Sequence, residues 1–429
     1  SSQGRPLPYT AGTSIIQGVC VDRNLKLLGV NYFKFMEYNS LYIDKNKDLH
    51  YYNYMIPRYY DDLNKFIRPR RVLVIYGPRR SGKTTILKKF LEQSPLRCKL
   101  DSGDNMRTQI LFESRDFESL FSYVEGYDLL AIDEAQRIPR IGEALKILKD
   151  HRPQLTIVVT GSSSFDLAQA VGEPLTGRKH QLTLYPIAQL ELLALKNKHE
   201  LGEQLEDFLI YGSYPDVLMA KTKHAKKEVL DEIVDSYLLK DVLMLERIRG
   251  ARVLLDLLKL VAFQVGQEVS LNEIASQVKL DVKTVGRYLD ILEKAFVLKS
   301  VGGFSRNLRS EVTKKQKYYF LDNGIRNAVI SQFQSLSDRS DVGGLWENFV
   351  FAERLKKKSY HAIHGPTYFW RTYSQQEIDF IEEQDGTIYA HEAKWSLKSK
   401  RGAPKEWKLA YPQSLFKIIH PENYLNYVT

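Results

Sequence analysis

A loop bounded by two glycines, set between an apolar strand and a helix, constrains the fold of this chain more than any other feature. Residues 72–85 read VLVIYGPRRSGKTT, and the apolar run predicts a buried strand. Glycines let backbone N–H groups close around phosphate oxygens, and a helix N-terminus favours anions. Lys83 is expected to reach the β- and γ-phosphates, and the Thr84 hydroxyl to hold Mg²⁺. The predicted nucleotide-binding loop comprises Gly77, Pro78, Arg79, Arg80, Ser81, Gly82, Lys83, Thr84 and Thr85.

Two further apolar strands end in polar residues. The segment 127–136 reads YDLLAIDEAQ. At its end Asp133 is expected to hold the Mg²⁺ shell, and Glu134 to orient or deprotonate the attacking water. The strand 155–160 is followed by Ser162, which is expected to sense the γ-phosphate, although serine after glycine is also ordinary turn chemistry. With Lys83 and Glu134 as catalytic residues, the pattern predicts nucleotide hydrolysis.

Composition limits the class of protein and its partners. A length of 429 residues accommodates two or three domains, and no apolar run approaches the roughly 20 residues of a membrane span. Cys20 and Cys98 are the only cysteines, which excludes a disulfide framework and favours a reducing cytoplasm. The formal net charge of +10 favours a polyanionic partner, and no membrane partner is expected.

Strands and helices alternate up to about residue 190, which predicts an α/β fold with a parallel sheet covered on both faces. The following segment is mostly helical in pattern. Beyond residue 252 the pattern changes twice more. The predicted division is a flexible or expression-derived arm at 1–40, a nucleotide-hydrolysing core at 41–190, a helical lid at 191–250, a winged helix at 251–335 and a nuclease-like domain at 336–429.

Residues 251–320 have the pattern of a helix-turn-helix followed by a basic hairpin. This stretch carries 12 Lys/Arg against 7 Asp/Glu, a net charge of +5. Such a module binds duplex DNA through phosphate contacts, or packs against other protein elements without binding DNA. The charge placement favours DNA. The candidate DNA-binding residues are Lys283, Thr284 and Arg287 on the second helix and Arg306, Arg309, Lys314, Lys315 and Lys317 on the hairpin.

The last segment carries a second possible chemistry. Glu347 lies near the start of an amphipathic helix, and Asp379 and Glu392 fall on the two strands of a predicted hairpin. Glu392 and Lys394 share one face because strand side chains alternate. An acid on one strand and Glu-x-Lys on the next is how metal-dependent nucleases hold Mg²⁺ and a water. Asp379 and Glu392 are therefore candidate Mg²⁺ ligands, although such folds also serve as DNA-binding scaffolds without cleavage.

The ordered motifs together carry a resemblance. They read GPRRSGKTT, LLAIDEAQRIP, VVTGSSSFDL, YGSYPDVL, KYYFLDNGIRNA and ENFVFAERL. The series resembles bacterial and archaeal AAA+ ATPases that carry a C-terminal domain of uncharacterised function. The resemblance implies a P-loop AAA+ domain with a parallel sheet, a helical lid, a winged helix-turn-helix and a C-terminal restriction-endonuclease-like α/β domain of the PD-(D/E)xK type. It also implies ATP and Mg²⁺ as cofactors, DNA as substrate, a ring-like homo-oligomer and a prokaryotic cytoplasm.

The same resemblance assigns roles to three arginines. Arg178 stands at the family's arginine after glycine, which implies a γ-phosphate-sensing or finger role, completed in cis or by a neighbouring subunit. Arg79 and Arg80 are expected to contact phosphate or a neighbouring subunit. A surface arginine that caps a strand is the plainer alternative for Arg178.

Three functions remain open on this basis. The first is an ATPase that remodels or translocates on duplex or branched DNA. The second is an Mg²⁺-dependent DNA nuclease that ATP licenses. The third is a nucleotide-gated switch that signals to a protein partner.

Overall fold

The computed structural model describes residues 56–161, 175–235, 250–305, 316–396 and 402–429. Several expectations fall outside these ranges. They concern the arm at 1–40, the sensor Ser162 and the hairpin residues Arg306, Arg309, Lys314 and Lys315.

Five strands in the described part of the N-terminal half form a parallel sheet, which confirms the predicted α/β architecture. Their order is β2-β3-β4-β1-β5, and all neighbours run parallel. Parallel strands place all their carboxyl ends at one edge of the sheet. The strands are β1 (Val72–Tyr76), β2 (Cys98–Ser102), β3 (Leu129–Asp133), β4 (Thr156–Gly161) and β5 (Lys179–Thr183).

Both faces of this sheet are covered, as an apolar strand without polar alternation requires. One core contains Val72, Val74 and Tyr76 of β1 together with residues of the helices at 117–124 and 141–151. Leu73 and Ile75 face a second core that includes the first helix. The helices of this half are α1 (Lys83–Gln93), α2 (Met106–Ser114), α3 (Phe117–Val124) and α4 (Ile141–His151).

A group of short helices follows the sheet, in line with the helical pattern of this segment. Pro215 occupies the first turn of one helix, where its missing N–H has no intrahelical role. Thr222 caps the next helix by accepting a hydrogen bond from the Ala225 N–H. The helices are α5 (Gln189–Leu192), α6 (Lys198–Glu203), α7 (Leu205–Tyr211), α8 (Pro215–Met219) and α9 (Lys223–Ile233).

The next segment contains two helices joined by a tight turn and an antiparallel sheet. Lys279 ends the first of these helices in the left-handed conformation, at φ 55°. Asp281 caps the second by accepting a hydrogen bond from the Thr284 N–H at 2.8 Å. The three strands in the described ranges pair in the order β6-β8-β7. The elements are α10 (Ala251–Phe263), β6 (Glu268–Val269), α11 (Leu271–Val278), α12 (Val282–Lys294), β7 (Leu298–Gly302), β8 (Gln316–Phe320) and α13 (Asn323–Val329).

The C-terminal segment builds a mixed sheet beside a long helix. The sheet order is β12-β11-β10-β9, with an antiparallel hairpin between β10 and β11 that turns at Gly386. Trp346 and Phe349 of the long helix pack with residues of α5 to α7 in one core. The elements are α14 (Val342–Tyr360), β9 (Thr367–Arg371), β10 (Glu377–Gln384), β11 (Thr387–Ala393), α15 (Lys405–Ala410), β12 (Leu415–Ile419) and α16 (Leu425–Val428).

Within the ranges that the structure describes, no helix combines the length and apolarity that crossing a membrane requires.

Candidate active site

The predicted loop follows the carboxyl end of β1 and leads into α1. Gly77 approaches the neighbouring backbone so closely that a Cβ would lie 2.1 Å from the Leu184 carbonyl oxygen. Gly82 adopts a left-handed conformation at φ 97°, directly before the first helical residue. Side chains larger than hydrogen are therefore unfavourable at both positions. The two glycines of the motif are required by the backbone path of the loop.

The Lys83 ammonium lies inside this loop. Its Nζ donates to the carbonyl oxygens of Gly77 at 3.0 Å and of Pro78 at 2.8 Å. Burial lowers the pKa of Lys83 to about 8, against the opposing effect of the nearby Glu134 and Asp133 carboxylates. A buried ammonium that faces the inside of a loop fits an anionic ligand such as a triphosphate.

Three side chains meet at the carboxyl edge of the sheet beside the loop. The Thr84 hydroxyl donates to Asp133 Oδ2 at 2.7 Å. The other oxygen of the same carboxylate, Oδ1, accepts a hydrogen bond from the Thr160 hydroxyl. A hydroxyl next to a carboxylate supplies the oxygen ligands that Mg²⁺ prefers. The donor set of Thr84 and Asp133 therefore fits the magnesium ion of an Mg·ATP complex.

Glu134 directly follows Asp133 at the end of β3. Its backbone is left-handed, at φ 49°, which is uncommon for a glutamate and turns the chain sharply out of the strand. Its N–H donates to Thr160 Oγ1 at 3.2 Å, and its carboxylate accepts from Gln136 Nε2 at 2.6 Å. The turn and the two hydrogen bonds hold Glu134 next to the Asp133 carboxylate.

Thr160 is a site residue that the sequence reasoning missed. It is fully buried near the end of β4, and its hydroxyl links the Asp133 carboxylate to the Glu134 N–H. The expected sensor, Ser162, is two residues further along and lies outside the described residues. A polar residue inside the apolar run 155–160 was the available signal.

Replacing Thr160 by valine should lower the kcat for ATP about 10- to 100-fold. Valine preserves the volume but removes a hydrogen bond to a charged group, a contribution of about 1.5–3 kcal/mol. Steady-state phosphate release measures the effect, and Thr156→Val at the start of the same strand is the matched control. An unchanged kcat in Thr160→Val would show that this hydroxyl does not organise the site.

Arg80 of the loop contacts the helical segment. Its guanidinium pairs with the Glu232 carboxylate at 3.0 Å through Nη1, and lies 3.8 Å from Asp216. Glu232 belongs to α9 and Asp216 to α8. The side chain thus points away from the inside of the loop in this structure. Arg79 is half-buried and Thr85 is exposed.

The expectation that Arg178 senses the γ-phosphate in cis is wrong. The Val72 N–H donates to the Arg178 carbonyl oxygen at 2.7 Å, so Arg178 lies at the amino edge of the sheet. The loop begins five residues after Val72, about 16 Å away along the strand. The Arg178 side chain instead donates to Asp150 Oδ1 at 2.7 Å. Contact with the nucleotide of this same chain is therefore excluded.

The C-terminal residues that the sequence singled out come together. We use "acidic centre" for the carboxylates of Glu347, Glu377, Asp379 and Glu392 with the ammonium groups of Lys317 and Lys394. Asp379 Oδ2 accepts a hydrogen bond from the Ala393 N–H at 2.8 Å, which ties β10 to β11. Glu392 Oε1 lies 2.6 Å from Lys394 Nζ. The predicted hairpin geometry is therefore present.

The position of Lys317 contradicts its expected DNA-binding role. Its side chain has no solvent exposure, and its Nζ lies 3.0 Å from Glu347, 2.5 Å from Glu377 and 3.7 Å from Asp379. Lys317 shares a face of β8 with the buried Tyr319, because side chains two residues apart in a strand point the same way. It therefore points into the protein and not towards a DNA phosphate.

The ammonium group of Lys317 also affects the expected nuclease metal site. No group of three or more His, Cys, Asp or Glu side chains within the described ranges is arranged to hold a metal ion. Burial, followed by the nearby Asp379 carboxylate, raises the pKa of both Glu347 and Glu392 to about 7. Burial lowers the pKa of Lys317, but Glu347 and its other neighbours raise it well above its ordinary value. As placed, Asp379 and Glu392 do not fit a nuclease Mg²⁺ site, because the Lys317 and Lys394 ammonium groups lie beside these carboxylates.

Lys317→Met should destabilise the fold by about 3–5 kcal/mol, because it leaves buried carboxylates without their cation. DNA affinity should stay unchanged, because the Lys317 side chain is buried. Urea denaturation measures the free energy of unfolding. Lys394→Met is the control, since its side chain is 51% exposed and its loss should cost less than about 1 kcal/mol. A stable Lys317→Met variant with weakened DNA binding would restore the wing-lysine interpretation.

The second helix of the predicted helix-turn-helix, α12, carries three of the candidate DNA-binding residues. Lys283 and Arg287 are exposed on α12. Thr284 is half-buried, and its hydroxyl donates to Asp281 Oδ2 at 2.6 Å as part of the helix cap. Lys283 and Arg287 are therefore the members of the predicted set whose charge reaches solvent within the described residues.

Family models match three successive segments of the chain. Residues 69–193 match an AAA domain, which contains the loop and strands described above. Residues 202–336 match a domain of unknown function (DUF8612), and residues 342–422 match another domain of unknown function (DUF4143). Residues 69–193 are thus similar to AAA domains, and the two segments that follow are similar to domains of unknown function.

Similar proteins are found in several bacteria. An uncharacterised protein of Mycobacterium tuberculosis is 28% identical over 337 residues, covering 77% of this chain and 72% of its own length. An uncharacterised protein of Haemophilus influenzae is 27% identical over 360 residues, covering 78% and 85%. A Holliday junction branch migration complex subunit RuvB of Synechococcus is 32% identical over 87 residues, covering 20% of this chain and 24% of its own length.

Proposed function

We propose that this chain is a Mg²⁺-dependent ATPase that binds DNA and remodels or translocates on it. The observation that carries the ATPase part is the convergence of Thr84, Asp133 and Thr160 at the carboxyl edge of the sheet, beside the Lys83 ammonium. A phosphate loop with its lysine, a hydroxyl and a carboxylate for Mg²⁺, and a group that positions water are the parts that P-loop hydrolysis requires.

Each residue has a defined task in this proposal. Lys83 neutralises the β- and γ-phosphates, and the Gly82 N–H faces the same charge at the helix N-terminus. Thr84 and Asp133 hold Mg²⁺, which supplies charge neutralisation between the phosphates when bound. Glu134 accepts a hydrogen bond from the attacking water and orients it. Thr160 keeps Asp133 and Glu134 in place.

Arg178 fits this proposal only as a residue that acts on a neighbouring subunit. It is 41% exposed in its side chain and lies at the edge of the sheet opposite the loop of its own chain. In a ring-like oligomer, a neighbour's arginine completes the site from outside. Mixing Lys83→Ala subunits with Arg178→Ala subunits tests this. In the mixture, the intact loop of an Arg178→Ala subunit can meet the intact Arg178 of a Lys83→Ala neighbour, so ATP turnover should recover.

The DNA part of the proposal rests on charge and shape. We interpret α11 and α12 with the β7–β8 hairpin as a winged helix, in which α12 meets the duplex. Lys283 and Arg287 are exposed on α12, and the chain carries a net charge of +10. The similarity of one segment to a Holliday junction branch migration subunit makes branched DNA the first substrate to test.

The double variant Lys283→Ala/Arg287→Ala should weaken duplex binding and reduce its salt dependence. Removing two phosphate contacts is expected to lower the slope of log K against log [salt] by about 1.8. Fluorescence anisotropy between 50 and 200 mM salt (roughly the range where the counterion effect is large) provides the measurement. Lys221→Ala/Lys223→Ala, which removes two exposed lysines before and within α9, is matched in charge. Equal slopes in the two double variants would remove α12 from the DNA interface.

The ATPase and DNA parts are tested together by turnover. Phosphate release should rise when duplex, forked or four-way-junction DNA is added at low salt, because movement on DNA uses the energy of hydrolysis. A rate of phosphate release that none of the three DNA structures changes would favour the alternative, a nucleotide-gated switch that signals to a protein partner.

An ATP-licensed nuclease is the other alternative, and the position of Lys317 argues against it. The carboxylates of Glu347 and Asp379, two of the predicted nuclease residues, face its ammonium instead. Incubating the chain with linear and branched DNA, ATP and either Mg²⁺ or Mn²⁺ decides the matter. Cleavage that Asp379→Asn abolishes, with ATP turnover retained, would establish the nuclease.

A further inference from the structure

Arg58 lies behind the phosphate loop and contacts it directly. The residue is buried, and its Nη1 donates to the Ser81 carbonyl oxygen at 2.5 Å. A Cβ added to Gly82 would lie 3.3 Å from the same Nη1. Arg58 precedes β1 and belongs to none of the motifs that predict the nucleotide site.

The hydrogen bond to Ser81 fixes the direction of a backbone N–H. A trans peptide unit is planar, so its C=O and N–H groups point in opposite directions. The Ser81 carbonyl and the Gly82 N–H belong to one such unit. Because Arg58 holds the carbonyl on the outer side of the loop, the Gly82 N–H must face the opposite side, where the phosphates bind.

Arg58 is itself held rigidly. Its Nε donates to Glu191 Oε1 at 3.0 Å, and its Nη2 donates to the Tyr185 carbonyl oxygen at 2.7 Å. The Glu191 side chain has no solvent exposure, so this ion pair is shielded from solvent. With Ser81 as the third acceptor, the guanidinium has little freedom to leave the loop.

The C-terminal half supplies the last part of this support. Tyr360, the final residue of α14, places its hydroxyl 3.5 Å from Arg58 Nη2. Its ring stacks on Tyr59 at 5.0 Å between centroids and 4° between planes. Near the same end, Glu353 accepts a hydrogen bond from the Gln189 N–H at 2.6 Å. The end of α14 is therefore fixed against the segments that surround Arg58.

We propose that Arg58 is a positioning residue for nucleotide binding and that Tyr360 makes helix α14 part of the same support. The inference rests on the proposed nucleotide site. Helix α14 also carries Glu347, thirteen residues and about 20 Å before Tyr360. One helix thus connects the acidic centre to the backbone of the phosphate loop, and changes at its C-terminal end alter nucleotide affinity.

The test compares KM, kcat and the Kd for ADP among variants of the full chain. Arg58→Met should raise the KM for ATP and the Kd for ADP at least tenfold, with kcat at saturating ATP within about threefold. A raised KM with an unchanged kcat indicates that the lost interaction stabilised the ground state and the transition state equally. Tyr360→Phe, which removes only the hydroxyl, should raise KM two- to fivefold. Arg68→Ala, an exposed arginine close in sequence, is the control.

One further variant and two further readings keep the outcome decisive. Arg58→Met leaves the buried Glu191 carboxylate without its cation, although the Tyr59 and Ala188 N–H groups still donate to it. Arg58→Met/Glu191→Gln is therefore measured beside it and should show the same KM shift. A purely structural role would lower the apo melting temperature and leave KM and Kd at the control values, which overturns the inference. A parent chain that binds ADP but does not hydrolyse ATP contradicts the proposed hydrolysis alone, since the Kd shift still tests Arg58.

Discussion

Replacing Lys83 by alanine should reduce ATP turnover to background and weaken nucleotide binding by at least 100-fold. The Lys83 ammonium is the cation inside the phosphate loop, where it now contacts the Gly77 and Pro78 carbonyls. Removing it leaves Mg²⁺ alone to offset the negative charge of the β- and γ-phosphates and of the nearby Asp133 and Glu134 carboxylates. A loss of two charge-assisted contacts at about 1.5–3 kcal/mol each corresponds to this factor or more. Titration with a fluorescent ATP analogue gives the affinity.

The matched control for this variant is Lys88→Ala. Lys88 is an exposed lysine on the same helix, one and a half turns further on. It carries the same charge but does not face the loop, so its loss should change affinity less than twofold. Equal affinities for Lys83→Ala and Lys88→Ala would mean that the nucleotide, if bound, lies elsewhere.

Glu134→Gln should lower kcat about 100- to 10,000-fold while ATP still binds. Glutamine keeps the size and the hydrogen bond to Gln136 but cannot accept a proton from water. A positioned general base contributes a factor of this order. Steady-state phosphate release measures kcat, and the ratio of ATP to ADP on the isolated protein should shift strongly towards ATP.

Glu125→Gln is the control, because Glu125 is an exposed glutamate just before β3. Its substitution changes the net charge equally without approaching the loop. If turnover is unaltered in Glu134→Gln, another group acts as the general base and Glu134 serves only to form the turn. A variant that also loses ATP affinity would point to a structural role.

The nucleotide site is the part that the sequence predicts best, and for a physical reason. The loop, its glycines, Lys83 and Thr84 lie within eight consecutive residues, so local backbone requirements specify them together. Asp133 ends an apolar strand, and parallel strands end at a common edge. The structure brings Thr84 and Asp133 to 2.7 Å, as this reasoning requires.

Tertiary contacts account for the residues that sequence reasoning misplaced. Lys317 counts as one basic residue among several in a hairpin, and only the fold places it beside Glu347 and Asp379. The available signal was its alternation with Tyr319 on one face of β8. For Arg178, sequence gives no indication of which edge of the sheet it occupies. Pairing between β1 and β5 decides that, and puts it far from the loop.

Arg58 is a residue of this site that no sequence motif predicts. It is 23 residues before Ser81 and 302 residues before Tyr360, and no local pattern links the three. Its partners Ser81, Tyr185 and Glu191 lie within the segment that matches the AAA domain, whereas Tyr360 comes from the C-terminal helix outside it. Residues that lie before β1, after β5 and at the end of α14 therefore meet at one backbone turn of the loop.

The release of phosphate from ATP by the purified chain, measured with and without Mg²⁺ and with and without four-way-junction DNA, tests the central claim most directly. We predict Mg²⁺-dependent release that DNA increases and that Glu134→Gln removes. Release that is absent under every condition, from a folded chain that binds no nucleotide, would contradict the account.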